Sequence, residues 1–166
     1  MSYFVSLFHL YVFDLLFFEP LSGVIGFLEN FYNLKAVSEI IGDDAKKLAG
    51  KTILWTGTSG FLGQWVIRVI KYLNEFVLTD PCKLLAYDMN LPEQTKIDKF
   101  SDFGIQFYSH DLTTKLIKPN LDIDFIVHMA GIASPTHYKA NPLRTIDVAL
   151  EGVRSTLDIA RANNAK

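Results

Sequence analysis

Much of what would make this chain easy to classify is missing from it. A single cysteine, Cys82, rules out an intrachain disulfide, and no C-x-x-C run or His/Cys cluster offers a metal site; a reducing cytosol is the expected setting. No lysine or arginine precedes Lys35, which removes the basic start that a secretory signal needs. Neither sign of charge prevails: 16 Lys and Arg face 18 Asp and Glu, for a net charge of -2, so nothing points to nucleic acid or to a strongly acidic partner. There is no internal repeat and no low-complexity tract. At 166 residues, one domain with a real core is expected.

Aromatic residues are abundant at the N-terminus. Phe4, Phe8, Phe13, Phe17 and Phe18 sit among Leu, Val and Tyr, but His9, Asp14 and Glu19 interrupt the run, which argues against a membrane span. The expectation is a hydrophobic helix ended by Pro20, packed on this protein or on a partner, within a helical extension over residues 1–47. One or two further helices are expected over 21–41. Gly42-Asp43-Asp44 reads as the N-cap of a short helix that Gly50 closes.

The informative stretch is Lys51-Thr52-Ile53-Leu54-Trp55 followed by Thr56-Gly57-Thr58-Ser59-Gly60-Phe61-Leu62-Gly63. After it comes an apolar stripe at helical spacing: Leu62, Trp65, Val66, Val69, Ile70 and Leu73. Strand, glycine turn and helix in that order make a phosphate cradle, because the free N–H groups of a first helical turn and the positive end of its dipole attract an anion. Gly57 lets the chain leave the strand sharply, Gly60 keeps a Cβ away from a pyrophosphate, and Gly63 lets the helix lie close to the sheet. The spacing is G-x-x-G-x-x-G, one residue longer at the front than the G-x-G-x-x-G fingerprint.

Further on, Lys83 to Tyr87 reads as a second strand ending on Asp88. A carboxylate there accepts hydrogen bonds from both ribose hydroxyls and repels a 2′-phosphate; no arginine follows closely, which favours NAD over NADP. A third strand, Ile105 to Tyr108, leads to Asp111, read either as a partner for the adenine amino group or as the N-cap of a helix begun by Leu112. The fourth strand, Phe125 to Met129, opens into Ala130-Gly131-Ile132-Ala133-Ser134-Pro135, small residues that leave room for a cofactor; His128 reads as a hydrogen-bonded core residue. Asn141 as cap and Pro142 in the first turn start a long helix whose apolar stripe is Ile146, Ala149, Leu150, Val153, Leu157 and Ala160. Right-handed crossovers predict an α/β, Rossmann-like parallel sheet of order 3-2-1-4 over residues 48–166, cut before a fifth strand.

Thr56-Gly57-x-x-Gly60-Phe61-Leu62-Gly63, Asp88, His110-Asp111-Leu112 and Ile126-Val127-His128-Met129-Ala130-Gly131 resemble the extended short-chain dehydrogenase/reductase superfamily, in its NAD-dependent epimerase/dehydratase group. Ala133-Ser134-Pro135-x-His137-Tyr138-x-x-Asn141-Pro142-x-x-Thr145-Ile146 looks like the UDP-glucuronate decarboxylases within it. The resemblance implies that Gly57, Ser59, Gly60, Phe61, Leu62 and Gly63 hold the pyrophosphate of NAD and Asp88 its ribose. Asp111 and Leu112 would flank the adenine. Met129, Ala130, Gly131 and Ala133 would line the cofactor, and Ser134, Pro135 and Tyr138 would border the pocket of a nucleotide sugar. It also implies oxidation of the sugar at C4 by bound NAD, and a homodimer through helices that include the one beginning at Asn141.

The sequence departs from that family in three ways. No tyrosine here has a lysine four residues on, so the Tyr-x-x-x-Lys that performs the family's catalysis is absent, with no catalytic residue to name. Ala149 stands where many relatives carry asparagine. The nucleotide-sugar half is missing as well. The expectation is therefore the NAD-binding front of a nucleotide-sugar decarboxylase or dehydratase, inactive alone; a sugar-epimerase or dTDP-glucose 4,6-dehydratase front and a non-catalytic nucleotide-binding or interaction module are the competing readings.

Overall fold

The computed structural model describes residues 33–166. The expected aromatic helix of Met1 to Phe18, and most of the helical extension, lie outside the described residues. The chain divides into two compact units, Met1–Ala36 and Val37–Lys166, and the architecture below is that of the second.

Its centre is a four-stranded parallel sheet in the order β3-β2-β1-β4: β1 Thr52–Thr56, β2 Lys83–Asp88, β3 Ile105–Ser109 and β4 Phe125–His128. This is the expected Rossmann-like topology. Leu54 pairs with Leu85 on one side and Ile126 on the other, which puts β1 at the middle of the sheet with both faces covered.

Successive side chains leave a strand on opposite faces, and the core divides accordingly. Ile53, Leu84, Ala86 and Ile105 meet Ile67, Ile70 and Leu73 of helix α1 (Phe61–Phe76) on one face. On the other face, Leu54, Leu85 and Tyr87 meet Leu112, Leu116, Ile123, Val148 and Ile159. The ring of Tyr87 stacks on that of Tyr108 with centroids 4.8 Å apart.

Two local expectations are corrected, and one helix stands where none was expected. A 3-10 helix spans Gly42–Leu48, but Ile41 stands at its N-cap position without a side-chain cap bond, and Asp43 and Asp44 instead pair with Lys46 and Lys47 on the surface. The short helix α2 (Gln94–Ser101) buries no residue, so it left no apolar stripe to read. No helix starts at Leu112: the 110–124 connection is a turn followed by an irregular segment. Side chains near the C-terminal end of the chain hold its backbone, with Leu116 N–H donating to Ser155 Oγ at 3.1 Å and Ile123 N–H to Asn163 Oδ1 at 3.3 Å.

One further finding has functional weight. After the short helix α3 (Pro135–Ala140), α4 (Pro142–Asn163) starts as expected at Asn141-Pro142, although Asn141 makes no side-chain cap. Its buried face is not the leucine stripe. Val148, Gly152, Ser155, Thr156 and Ile159 face the sheet, whereas Ile146, Leu150 and Leu157 are 52%, 63% and 62% exposed, and Ala149 and Val153 are exposed with them. Small residues win the inner face because the sheet comes so close: a Cβ on Gly152 would stand 2.7 Å from His128 Cε1. Ser155 is needed there to accept the Leu116 amide and to donate to Glu151. Among the described residues, no helix is long and apolar enough to cross a membrane.

Candidate functional site

All four strands run the same way, so their carboxyl ends share one edge of the sheet, and the chain leaves β1 for α1 at that edge where the strand order reverses. This is where open α/β sheets leave a crevice. A cleft of about 410 Å³ lies there.

The glycine turn forms its floor. Gly57 has φ of +83°, and its N–H donates to Tyr87 O at 2.9 Å, so the turn is stitched to β2 as soon as β1 ends. A Cβ on Gly57 would stand 2.7 Å from Ala130 N, and one on Gly63 would stand 2.5 Å from Gly57 O. These two glycines are thus demanded by packing: Gly57 brings the ends of β1 and β4 together, and the close approach made by Gly63 is to the turn itself. Gly60 differs. Its backbone is ordinary, with φ of -69°, and an added Cβ would meet only Gly57 O at 3.3 Å. Gly60 is also the N-cap of α1 and, having no side chain, caps nothing; Gln64 N–H is the first amide to reach back, to Gly60 O at 3.0 Å. The amides of Phe61, Leu62 and Gly63 belong to the first turn of α1 and have no carbonyl a turn behind them.

Asp88 closes the turn from the β2 side. Its Oδ2 accepts Ser59 N–H at 2.9 Å and its Oδ1 accepts Asn90 N–H at 3.0 Å. Each oxygen keeps a lone pair for a further donor. Beyond it, Asp111 Oδ1 accepts Thr113 N–H at 3.0 Å, making an Asx turn in place of a helix cap, and Oδ2 accepts Arg144 Nη2 at 2.7 Å. The Thr113 amide first, and then Arg144, hold the Asp111 carboxyl below its ordinary value.

At the opposite end, the buried Thr56 hydroxyl organises β4. It accepts Met129 N–H at 3.2 Å and Ala130 N–H at 3.3 Å, and so it donates its own proton to His128 Nδ1 at 2.7 Å. Burial holds the His128 imidazole below its usual value, and the neutral ring serves as a strut between β1 and β4, the hydrogen-bonded core role expected of it.

Gly57, Ser59, Gly60, Asp88, Asp111, Leu112, Met129, Ala130, Gly131, Ala133 and Ser134 all line the cleft. Phe61, Leu62 and Gly63 do not, and only their backbone can serve an anion. Pro135 and Tyr138 lie in α3 outside the lining, where His137 takes their place. Met89, Asn90 and Arg144 also line the cleft and had no signal in the sequence beyond the Asp88-x-Asn90 spacing. Tyr87 borders the cleft too, but its hydroxyl donates to Ile117 O, and burial pushes its pKa up to about 12, so it is not a proton acceptor near neutrality. Among the described residues, no cluster of His, Cys, Asp and Glu could hold a metal ion.

A glycine turn entering an uncapped helix, a carboxylate at the end of the second strand and a cleft at the switch point are the features of a Rossmann-like domain. The sequence profile of the NAD dependent epimerase/dehydratase family matches residues 53–166, and the chain belongs to that family. UDP-glucuronic acid decarboxylase 2 of Arabidopsis thaliana is 27% identical over 120 residues, covering 72% of this chain and 25% of that protein. UDP-glucuronic acid decarboxylase 6 of the same plant is 30% identical over 116 residues, covering 69% and 31%. The chain thus spans between a quarter and a third of the length of these relatives. In fold it is similar to the dTDP-glucose 4,6-dehydratase DesIV of Streptomyces venezuelae, solved with NAD and TYD bound, at a TM-score of 0.54 and 20% identity over 69% of this chain and 37% of that one. It is similar to Pen of Bacillus thuringiensis at a TM-score of 0.55 and 17% identity over 72% and 36%.

Proposed function

We propose that the cleft binds NAD as part of a nucleotide-sugar enzyme of the UDP-glucuronate decarboxylase type. The observation that carries this reading is the floor of the cleft: an uncapped helix start behind Gly60, with Asp88 tied to the same turn through Ser59. The residues present fit the cofactor. Gly60 has no steric reason of its own to be glycine beyond one mild contact, and Gly131 has nothing within 4 Å of where a Cβ would stand, so both leave open space along the cleft. The amides of Phe61, Leu62 and Gly63 would hold the pyrophosphate, Asp88 would accept the ribose hydroxyls, Asp111 and Leu112 would flank the adenine, and Met129, Ala130, Gly131 and Ala133 would line the nicotinamide side.

When bound, NAD supplies an acceptor for the hydride from C4 of the sugar. Ser134, Pro135 and Tyr138 would border that sugar. The tyrosine base that the resemblance calls for is absent, since the Tyr87 hydroxyl is committed to Ile117 O and the sequence has no Tyr-x-x-x-Lys. The chain by itself is therefore expected to bind NAD in calorimetry and to release no carbon dioxide from UDP-glucuronate; failure to bind NAD refutes the reading, and turnover refutes its second half. The single thiol of Cys82, buried and with no second cysteine to pair with, is in keeping with a cytosolic setting.

The exposed face of α4 supports a homodimer. Leu143, Ile146, Leu150, Val153 and Leu157 recur in steps of three and four, the spacing of a helix-pairing seam. An antiparallel second copy centred on Leu150 brings Leu143 opposite Leu157 and Asp147 beside Arg154, so apolar and charged groups both find complements. Leu150→Glu puts two carboxylates at that centre and is expected to weaken association by about 100-fold or more. Sedimentation velocity should then show a monomer; an unchanged species would remove α4 from the interface.

A further inference from the structure

We propose that Arg144 is a positioning residue, holding the Asp111 carboxylate so that it reads the 6-substituent of the purine at the adenosine end of the cleft. This inference rests on the NAD reading above and goes a step past it.

The adenosine end is set by Asp88. A dinucleotide laid over the glycine turn places one half toward β2 and β3 and the other over β4, and the ribose carboxylate ends β2. Asp111, which follows β3, stands at that same end, with Met89, Leu112 and Val148 supplying apolar surface around it. An ionised carboxylate is an acceptor only. It therefore favours the 6-amino group of adenine and disfavours the 6-oxo group of hypoxanthine, provided that it cannot rotate away.

Two bonds prevent that rotation. Thr113 N–H holds Oδ1 from the local turn, and Arg144 Nη2 holds Oδ2 at 2.7 Å from the first turn of α4, 33 residues along the chain. The same Arg144 nitrogen lies 3.4 Å from Met89 Sδ, the residue next to Asp88, so one side chain ties together the loops after β2 and β3. The two charged side chains are 43% and 39% exposed, and an ion pair that open to water adds little to stability. Folding does not account for an arginine there; orientation of a group at a cleft wall does.

The test compares two dinucleotides that differ in the 6-substituent of the purine and in the proton that the 6-oxo form carries on N1, NAD and nicotinamide hypoxanthine dinucleotide, by calorimetry on the full chain. The unmodified protein is expected to prefer NAD by about 30-fold, the range of a hydrogen bond to a charged group. Arg144→Met should weaken NAD about tenfold and shrink the preference to roughly threefold or less, and Arg144→Lys, which keeps the charge, should recover most of the NAD affinity. Asp111→Asn should also abolish the preference, because an amide can turn either a donor or an acceptor to the base. The preference is the decisive readout, since a general loss of order would weaken both ligands alike. If the unmodified chain binds NAD but shows no preference, or if Arg144→Met keeps the full preference with an unchanged melting temperature, the proposal is overturned while the NAD reading stands. A chain that binds neither dinucleotide overturns both.

Discussion

Gly57→Ala is expected to lower the unfolding free energy by roughly 2 to 5 kcal/mol, while Gly60→Ala, three residues on, should lower it by less than about 1 kcal/mol and yet weaken NAD binding about 100-fold. The difference lies in what each new methyl group would meet. At position 57 it meets backbone on the far strand, Ala130 N at 2.7 Å and Met129 C at 2.8 Å, with φ at +83°. That backbone cannot retreat, because Thr56 Oγ1 accepts both the Met129 and the Ala130 amides. Left-handed strain and overpacking therefore add. At position 60 the methyl group meets only Gly57 O at 3.3 Å, and the cleft receives the rest of it. Urea denaturation followed by tryptophan fluorescence measures the first effect and calorimetry the second. If Gly60→Ala bound NAD as the unmodified chain does, the phosphates would have to lie elsewhere.

The second large effect is expected at Asp88. Asp88→Asn should weaken NAD about 30-fold and lower the preference for NAD over NADP about tenfold or more. Both carboxylate oxygens already accept backbone amides, from Ser59 and from Asn90. An asparagine must turn its NH2 toward one of those donors, so a contact that holds the glycine turn is lost along with an acceptor for the ribose. The same change removes the negative charge that a 2′-phosphate would face. Dissociation constants for the two cofactors give the ratio directly, and a ratio left unchanged would mean that Asp88 only closes the turn.

The floor of the cleft was legible because its signals are local. Three glycines at fixed spacing between an apolar run and an apolar stripe, and a carboxylate closing the next apolar run, sit within a few residues of one another, and sheet hydrogen bonding brings them together in only one way. The unexpected α2 and the missing helix at Leu112 were illegible for the converse reason. A helix that buries nothing carries no periodic pattern, and the 110–124 segment is held by Ser155 and Asn163 of α4, partners that neighbouring residues do not announce.

Helix α4 shows most clearly where local reading stops. Its periodicity correctly indicates a helix with one strongly apolar stripe, because that depends only on residue spacing. Which stripe turns inward depends on how near the sheet lies, and contact with His128 and Leu116 selected Gly152 and Ser155 over the leucines. What the sequence by itself determined was the order of the strands, the sheet topology, the glycine turn, the place of Asp88 at the end of β2 and the family, all of which follow from short-range spacing and chain connectivity. Only the tertiary structure decided the outward stripe, the Thr56 to His128 strut and the reach of Arg144 to Asp111. Each of these joins residues 33 or more positions apart, or depends on such a join, and is set by close packing rather than by sequence neighbours.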